Sequence, residues 1–238
     1  MLEKKFIIAN WKMNCSKNFI HNYTHNFNGN LDKYNFIICP PFPYLLDSRN
    51  KFDEKIQIAA QDVSSFEDGA YTSQVSAKML IDLKCEYVII GHNETRLHSK
   101  YNNEEIKNKI IRAIENNLKI IYCIGENEDI RREGFYGYSK FLAQQLDISN
   151  INITKENFII AYEPIWAIGN GNSASIENIT EVAEFIKSHV KKLKNIEINV
   201  LYGGSVNLSN SNEILSIPLI SGLLIGGMSL KIDDINKL

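Results

Sequence analysis

The chain has 238 residues, 44% of them hydrophobic, with 26 basic and 28 acidic side chains and a formal net charge of −2. That is enough apolar content for one large core. Charges scattered this evenly form neither the basic stripe of a nucleic-acid binder nor a polybasic membrane anchor, so a small molecule is the expected partner. Apolar runs of roughly four to eight residues fall far short of a membrane span, and Met1-Leu2-Glu3-Lys4-Lys5 leads straight into an apolar run with no signal-peptide core, so a cytoplasmic protein is expected.

The first predicted strand, Phe6-Ile7-Ile8-Ala9, ends in Asn10-Trp11-Lys12-Met13-Asn14. A lysine set between Trp11 and Met13 implies a packed rim, and a fixed ammonium there would attract an anion. Strand two, Phe36-Ile37-Ile38-Cys39, stops at Pro40-Pro41, and strand three, Ile56-Gln57-Ile58-Ala59, at Gln61-Asp62. From Asp62 to Ser76 follows a loop too long for a simple connection and, with Phe66 and Tyr71, too apolar at its tip for water. Strand four, Tyr87-Val88-Ile89-Ile90, is followed by Gly91-His92. Residues 103 to 116 carry Ile106, Ile110, Ala113 and Ile114 on one helical face. Strand five, Ile120-Ile121-Tyr122-Cys123, leads to Gly125-Glu126, and strand six, Phe158-Ile159-Ile160-Ala161, to Glu163. Residues 176 to 194 form a second amphipathic helix through Ile179, Val182, Ala183 and Ile186. Strand seven, Ile198-Asn199-Val200-Leu201, precedes Gly203-Gly204-Ser205, and strand eight, Leu223-Leu224-Ile225, precedes Gly226-Gly227 and Ser229-Leu230.

Continuous rather than alternating apolar runs are the mark of parallel strands buried on both faces. Eight strand-then-helix units in a chain of this length predict a (β/α)8 barrel, one α/β domain over residues 1–238. Function in such a barrel lies at the C-terminal strand ends, where the polar and glycine residues gather. The opposite ends, Lys5, Lys55, Glu86, Lys119 and Asn157, read as ordinary solvated positions. Cys15, Cys39, Cys85 and Cys123 are too widely separated for a zinc site or a disulfide framework and are expected to be reduced thiols.

Glu163 is the candidate base, since a carboxylate among apolar groups at a barrel rim gains basicity. His92 on another strand is its candidate partner, and Lys12 the cation. Glycines after strands seven and eight, with a short helix start, suit a phosphate held by backbone N–H groups.

The motifs IIANWKMN (7–14), QDVSSFEDGAYTSQVSA (61–77), VIIGHNETR (88–96), CIGE (123–126), AYEPIWAIGNG (161–171), YGGSVN (202–207) and LLIGGMSL (223–230) resemble the triosephosphate isomerase family, in family order and over nearly the whole chain. The resemblance implies a TIM barrel that interconverts glyceraldehyde 3-phosphate and dihydroxyacetone phosphate through an enediolate, in glycolysis and gluconeogenesis. It implies Glu163 as base, His92 as electrophile, Asn10 and Lys12 on the substrate, and Glu94 in support. Phosphate would be bound by Gly169, Ser205, Gly226 and Gly227. Pro164-Ile165-Trp166-Ala167-Ile168-Gly169 would be a lid, with Ile168 and Leu224 pressing on Glu163 and excluding water. The resemblance also implies a homodimer in which the loop bearing Phe66, Tyr71 and Thr72 enters the partner near Lys12 and Cys15.

Some positions depart from the family pattern: Asn93 for serine, Thr95 for arginine, Ser73-Gln74 for glycine and glutamate, and Asn170 and Asn172 for threonine and lysine. Loss of both the glutamate and the arginine removes a charged contact as a pair, which costs less than stranding one partner. An aldolase using Lys12 as a Schiff base, another phosphosugar isomerase or epimerase, and a non-catalytic binding protein are the competing readings. Lys12 on strand one and Glu163 with a lid fit proton transfer better than the aldolase, a substrate panel separates the other isomerases and epimerases, and the presence of every expected catalytic residue tells against a non-catalytic protein.

Overall fold

Strands that are apolar at every position need a hydrophobic layer on each face, and a sheet closed on itself supplies both. The computed structural model, which describes residues 3–168 and 173–238, has eight parallel strands joined in sequence order into a closed barrel. The first half of the chain contains β1 (Lys5–Asn10), α1 (Lys17–Asn26), β2 (Tyr34–Cys39), α2 (Leu45–Lys51), β3 (Gln57–Ala60), α3 (Ala77–Asp82), β4 (Tyr87–Ile90), α4 (Asn93–Ser99) and α5 (Asn103–Glu115). The second contains β5 (Lys119–Ile124), α6 (Glu128–Arg132), α7 (Gly134–Gln145), β6 (Phe158–Tyr162), α8 (Ile176–Lys194), β7 (Asn199–Tyr202), α9 (Ser211–Ser216), β8 (Gly222–Ile225) and α10 (Ile232–Ile235). Closure is made by β1, whose Ile8 pairs with Ile37 on one side and Leu224 on the other.

Side chains alternate between two apolar layers. Ile8, Ile37, Cys39, Ala59, Ile89, Ile121, Cys123, Ile159, Ala161, Leu201 and Leu224 fill the barrel, while their neighbours Ile7, Ile38, Ile58, Val88, Ile120, Ile160 and Val200 pack outward under the helices. Each fully buried Ile or Leu is worth about 1.5–3 kcal/mol relative to an exposed one, so both layers stabilise the closed barrel. The helices are started by side-chain caps: Ser16, Ser76 and Ser175 accept from Phe19, Met79 and Asn178 N–H, and Asn102 with Glu105 makes a reciprocal box at α5.

Two expectations change. Trp11 is fully buried, edge-on to Phe19 and Tyr23, but the chain reverses at Lys12 and leaves Met13 93% exposed, so in the protomer the rim is packed on one side only. Lys5, expected in solvent, is half-buried and donates to the carbonyls of Leu215, Ile217 and Ile220 at and just beyond the end of α9. Desolvation lowers its pKa. Its ammonium supplies donors that the last carbonyls of a helix lack.

Candidate active site

Strand parity determines which rim residues face the barrel axis. Ile8, Ala59, Cys123, Ala161, Leu201 and Leu224 point inward, so two residues on, Asn10, Gln61, Gly125, Glu163, Gly203 and Gly226 are directed the same way. Three of the six are glycines, and each leaves space that a neighbour occupies. A Cβ on Gly125 would lie 1.7 Å from the Glu163 carbonyl oxygen, one on Gly203 3.0 Å from Glu163 Cγ, and one on Gly226 3.1 Å from Lys12 Cε. The rim has been emptied around the carboxylate and the ammonium.

Asn10, Lys12, His92, Glu163, Ile168 and Leu224 share one cavity with the glycines of the last two strand ends, of about 320 Å³, the small end of the ~300–1,000 Å³ range of small-molecule sites. Glu163 is buried; its Oε1 lies 3.0 Å from His92 Nε2, and its Oε2 accepts from Asn93 N–H at 2.9 Å and Asn93 Nδ2 at 3.3 Å. His92 caps α4, its Nδ1 accepting from Glu94 N–H at 3.2 Å. An Nδ1 that accepts leaves the proton on Nε2, the form in which the ring can donate into the cavity while neutral. Lys12 Nζ stands 2.6 Å from Glu94 Oε1. Cys123 lies beneath this group, and burial with the nearby Glu163 charge pushes its thiol well above the ordinary value, so it remains a neutral hydrophobe.

The segment after Glu163 is braced from below. Pro164 precedes a single 3-10 turn, Ile165–Ala167. Ile165 N–H donates to Glu126 O at 3.0 Å, and Glu126 Oε1 accepts from Trp166 Nε1 at 3.0 Å and Tyr162 OH at 2.8 Å. Glu126 is completely buried, and burial raises its pKa against the opposing effect of those two donors and of Arg131. This anchoring of the expected lid was not deduced from sequence, although Glu126 ends an apolar strand as Glu163 does. Its signal is parity: Ile124 faces outward, so Glu126 does too. Gly169, expected on the phosphate, lies outside the described residues, as do Asn170 and Asn172.

Ser205 is at the cavity, yet its N–H (3.1 Å) and its hydroxyl (2.7 Å) both donate to Ala167 O. Gly226 and Gly227 line the same wall, and Gly227 opens a 3-10 turn to Leu230. Further round, Phe66 and Tyr71 stack at 4.1 Å between ring centroids and remain about half exposed, and Thr72 beside them is exposed. The loop is closed by Ser76 Oγ donating to Asp68 at 2.6 Å. Cys15 is half-buried. Lys109, hidden within the apolar face of α5, binds both Asp62 oxygens at 2.9 Å and Val63 O at 2.6 Å. Thr95 Oγ1 donates to His92 O at 2.8 Å and so ties α4 to its own cap. Among the described residues no helix is long and apolar enough to cross a membrane, and no group of three or more His, Cys, Asp or Glu side chains is placed to hold a metal ion.

A buried carboxylate against an imidazole, with a lysine in the same cavity at the C-terminal rim of a (β/α)8 barrel, defines a barrel enzyme equipped for acid–base chemistry on an anionic small molecule. A profile of the family described as Triosephosphate isomerase matches residues 5–238. The chain is 40% identical to the triosephosphate isomerase of Mesomycoplasma hyopneumoniae (strain 7448) over 99% of its own length and 98% of the relative's. To that of Hahella chejuensis (strain KCTC 2396) it is 38% identical over 96% and 94%, and to that of Francisella tularensis subsp. mediasiatica (strain FSC147) 36% over 99% and 96%. The chain belongs to the triosephosphate isomerase family, whose members are isomerases of the aldose–ketose kind.

Proposed function

We propose that this chain interconverts D-glyceraldehyde 3-phosphate and dihydroxyacetone phosphate, the glycolytic and gluconeogenic reaction of its family, with Glu163 as the base. The carbon-bound proton next to the carbonyl passes to the Glu163 carboxylate. The electron pair moves onto the carbonyl oxygen, and the resulting enediolate is held by His92 Nε2–H and the Lys12 ammonium. His92, helped by Lys12, moves the oxygen-bound proton from the hydroxyl to the neighbouring oxyanion, and return of the carbon-bound proton from Glu163 to the neighbouring carbon then forms the new carbonyl, with no metal or organic cofactor required. The observation that carries this reading is Glu163 Oε1 at 3.0 Å from His92 Nε2 in the cavity that also receives Lys12. Substrate would enter between base and electrophile, separating them.

Asn10 would contact the substrate beside Lys12, and Glu94 would steady the Lys12 ammonium. Backbone N–H groups at Gly169, Ser205, Gly226 and Gly227, with the Ser205 hydroxyl, would hold the phosphate. Because both Ser205 donors are engaged by Ala167 O, phosphate would compete with the base of the lid for them, which couples substrate arrival to movement of Pro164 to Gly169. Closure would then press Ile168 and Leu224 on Glu163 and protect the enediolate from losing phosphate. A homodimer is part of the same proposal, Phe66, Tyr71 and Thr72 of one protomer entering the partner beside Cys15, and so is a cytoplasmic location.

The test is Glu163→Gln, assayed in both directions by coupled dehydrogenases. A loss of at least about a thousandfold in kcat is expected, with inorganic phosphate still bound, because the base acts mainly in the transition state. Near-parent turnover would refute the assignment. Unphosphorylated glyceraldehyde is expected to be a very poor substrate for the parent protein, and equal efficiency on both aldehydes would contradict the phosphate-driven lid.

A further inference from the structure

Lys12 sits at φ 52°, a left-handed backbone that a residue with a Cβ rarely adopts. Such a conformation persists when its surroundings over-determine it. The Lys12 N–H donates to Asn10 Oδ1 at 3.0 Å, and its carbonyl accepts from Gln61 Nε2 at 2.8 Å. The same Gln61 nitrogen donates to Cys39 O, also at 2.8 Å. Both hydrogens of the amide are thereby used, and one side chain ties the ends of β1, β2 and β3 together. Cys39 O receives in addition the N–H of Trp11, the residue before Lys12, at 3.2 Å. Gln61 is itself held, since the next residue, Asp62, is clamped through both oxygens by the buried Lys109. From this fixed backbone the Lys12 stem runs past the space left by Gly226 to Glu94.

We propose that Gln61 is a positioning residue for the substrate cation: by donating its two amide hydrogens to the Lys12 and Cys39 carbonyls it holds the Lys12 backbone and aims Nζ into the cavity. The inference rests on the reading of Lys12 as that cation. Two carbonyl oxygens converging on one side chain demand donors. A glutamate of the same shape would set a carboxylate oxygen against both, so Gln61→Glu removes the function with little change in volume. Gln61→Met removes it without adding charge.

The experiment is a cycle of four proteins: parent, Gln61→Met, Lys12→Met and the double variant. Each is read by the affinity for inorganic phosphate in calorimetry, with KM and kcat where turnover permits. Gln61→Met is expected to raise KM and the phosphate Kd by roughly tenfold, more than it lowers kcat, and to add nothing to the phosphate Kd once Lys12 is methionine. A merely structural role would lower thermal stability but would not vanish with Lys12. Parent-like KM and phosphate affinity in Gln61→Met overturn the proposal, and so does an equal loss in both backgrounds. If Gln61→Met does not fold, the isosteric Gln61→Glu decides, parent-like KM and phosphate affinity again counting against the proposal. Should Lys12→Met alone leave activity and phosphate affinity at parent level, the reading of Lys12 fails first, a result distinct from a failure at Gln61.

Discussion

Glu163 and Glu126 each close an apolar strand, and one step of strand parity gives them opposite surroundings. Glu163 follows the inward series through Ala161 and meets His92 and Asn93 in the cavity. Glu126 follows the outward series through Ile124 and meets Tyr162, Trp166 and, at 3.6 Å, Arg131. Burial raises the Glu126 pKa from its ordinary value of 4.5. A carboxyl raised in the folded state keeps its proton to higher pH than in the unfolded chain, so its contribution to stability is full below about 4.5 and is lost as pH rises through the raised value. Glu126→Gln cannot titrate and is expected to lack that slope. In melting-temperature scans from about pH 4 to pH 7, the parent should therefore lose ground to Glu126→Gln as pH rises above about 4.5. A difference independent of pH would show that Glu126 is not the group responsible. At Glu163 the same scale of reasoning gives a different expectation. Replacing His92 by glutamine keeps a donor near the carboxylate but not a ring that can exchange a proton, so turnover should fall less than in Glu163→Gln while the fold is kept. Equal rates in His92→Gln and the parent across pH would remove the electrophile role.

At the scale of elements, the loop from Asp62 to Ser76 carries its own strain. Gln74 N–H donates to Tyr71 O at 3.1 Å, closing a turn whose third residue, Ser73, has φ 78°. That is the glycine-favouring position of a type II turn, and it accounts physically for the glycine usual there in the family. Ser73→Gly relieves the steric cost and gives back part of it as unfolded-state entropy, for a net stabilisation of up to about 1 kcal/mol. Urea midpoints at one fixed protein concentration measure it, and a destabilised variant would show that the turn depends on the serine side chain. The strands and long helices were legible in the sequence because their signals are local: Phe158 to Ala161 is apolar at every position, and Ile179, Val182, Ala183 and Ile186 repeat at helical spacing. The ring of polar and glycine residues at the strand ends was legible for the same reason. Which way those residues point was not, because a strand buried on both faces shows no alternation, so the outward course of Glu126 and its grip on the expected lid were missed. Lys109 was hidden by the apolar face of α5 that surrounds it, and the grip of Ser205 on Ala167 O joins segments 38 residues apart with no local pattern. Met13 stands bare in the protomer because the reversal at Lys12 is made by Asn10, at the end of β1, and Gln61, just beyond β3.

For the whole molecule, the question is what covers the face where β1 and the long loop emerge. Met13 is 93% exposed, and Phe66 and Tyr71 are exposed by 47% and 45%. The stacked aromatic pair at the loop tip and the bare methionine next to Lys12 in the chain are apolar surfaces that the proposed second protomer would bury. Cys15, two residues after Met13 and half-buried, belongs to the stretch proposed to receive the partner's loop, so a bulky group on its sulfur would wedge the proposed dimer apart. Its thiol is not a fast nucleophile: burial, with a smaller effect of Asp47, pushes its pKa up to about 11. Only the thiolate reacts, so alkylation should accelerate about tenfold for each pH unit from neutrality until that value is approached. Cys39, Cys85 and Cys123 are buried in the protomer and should react more slowly still. Treatment with a bulky maleimide at about pH 8, followed over time by sedimentation, mass spectrometry and assay, is expected to show one label per chain, dissociation and loss of activity advancing together. Cys15→Ala should be protected on all three counts. A monomer that retains full activity would refute the link between assembly and catalysis, and inactivation unchanged in Cys15→Ala would assign the sensitivity to another thiol.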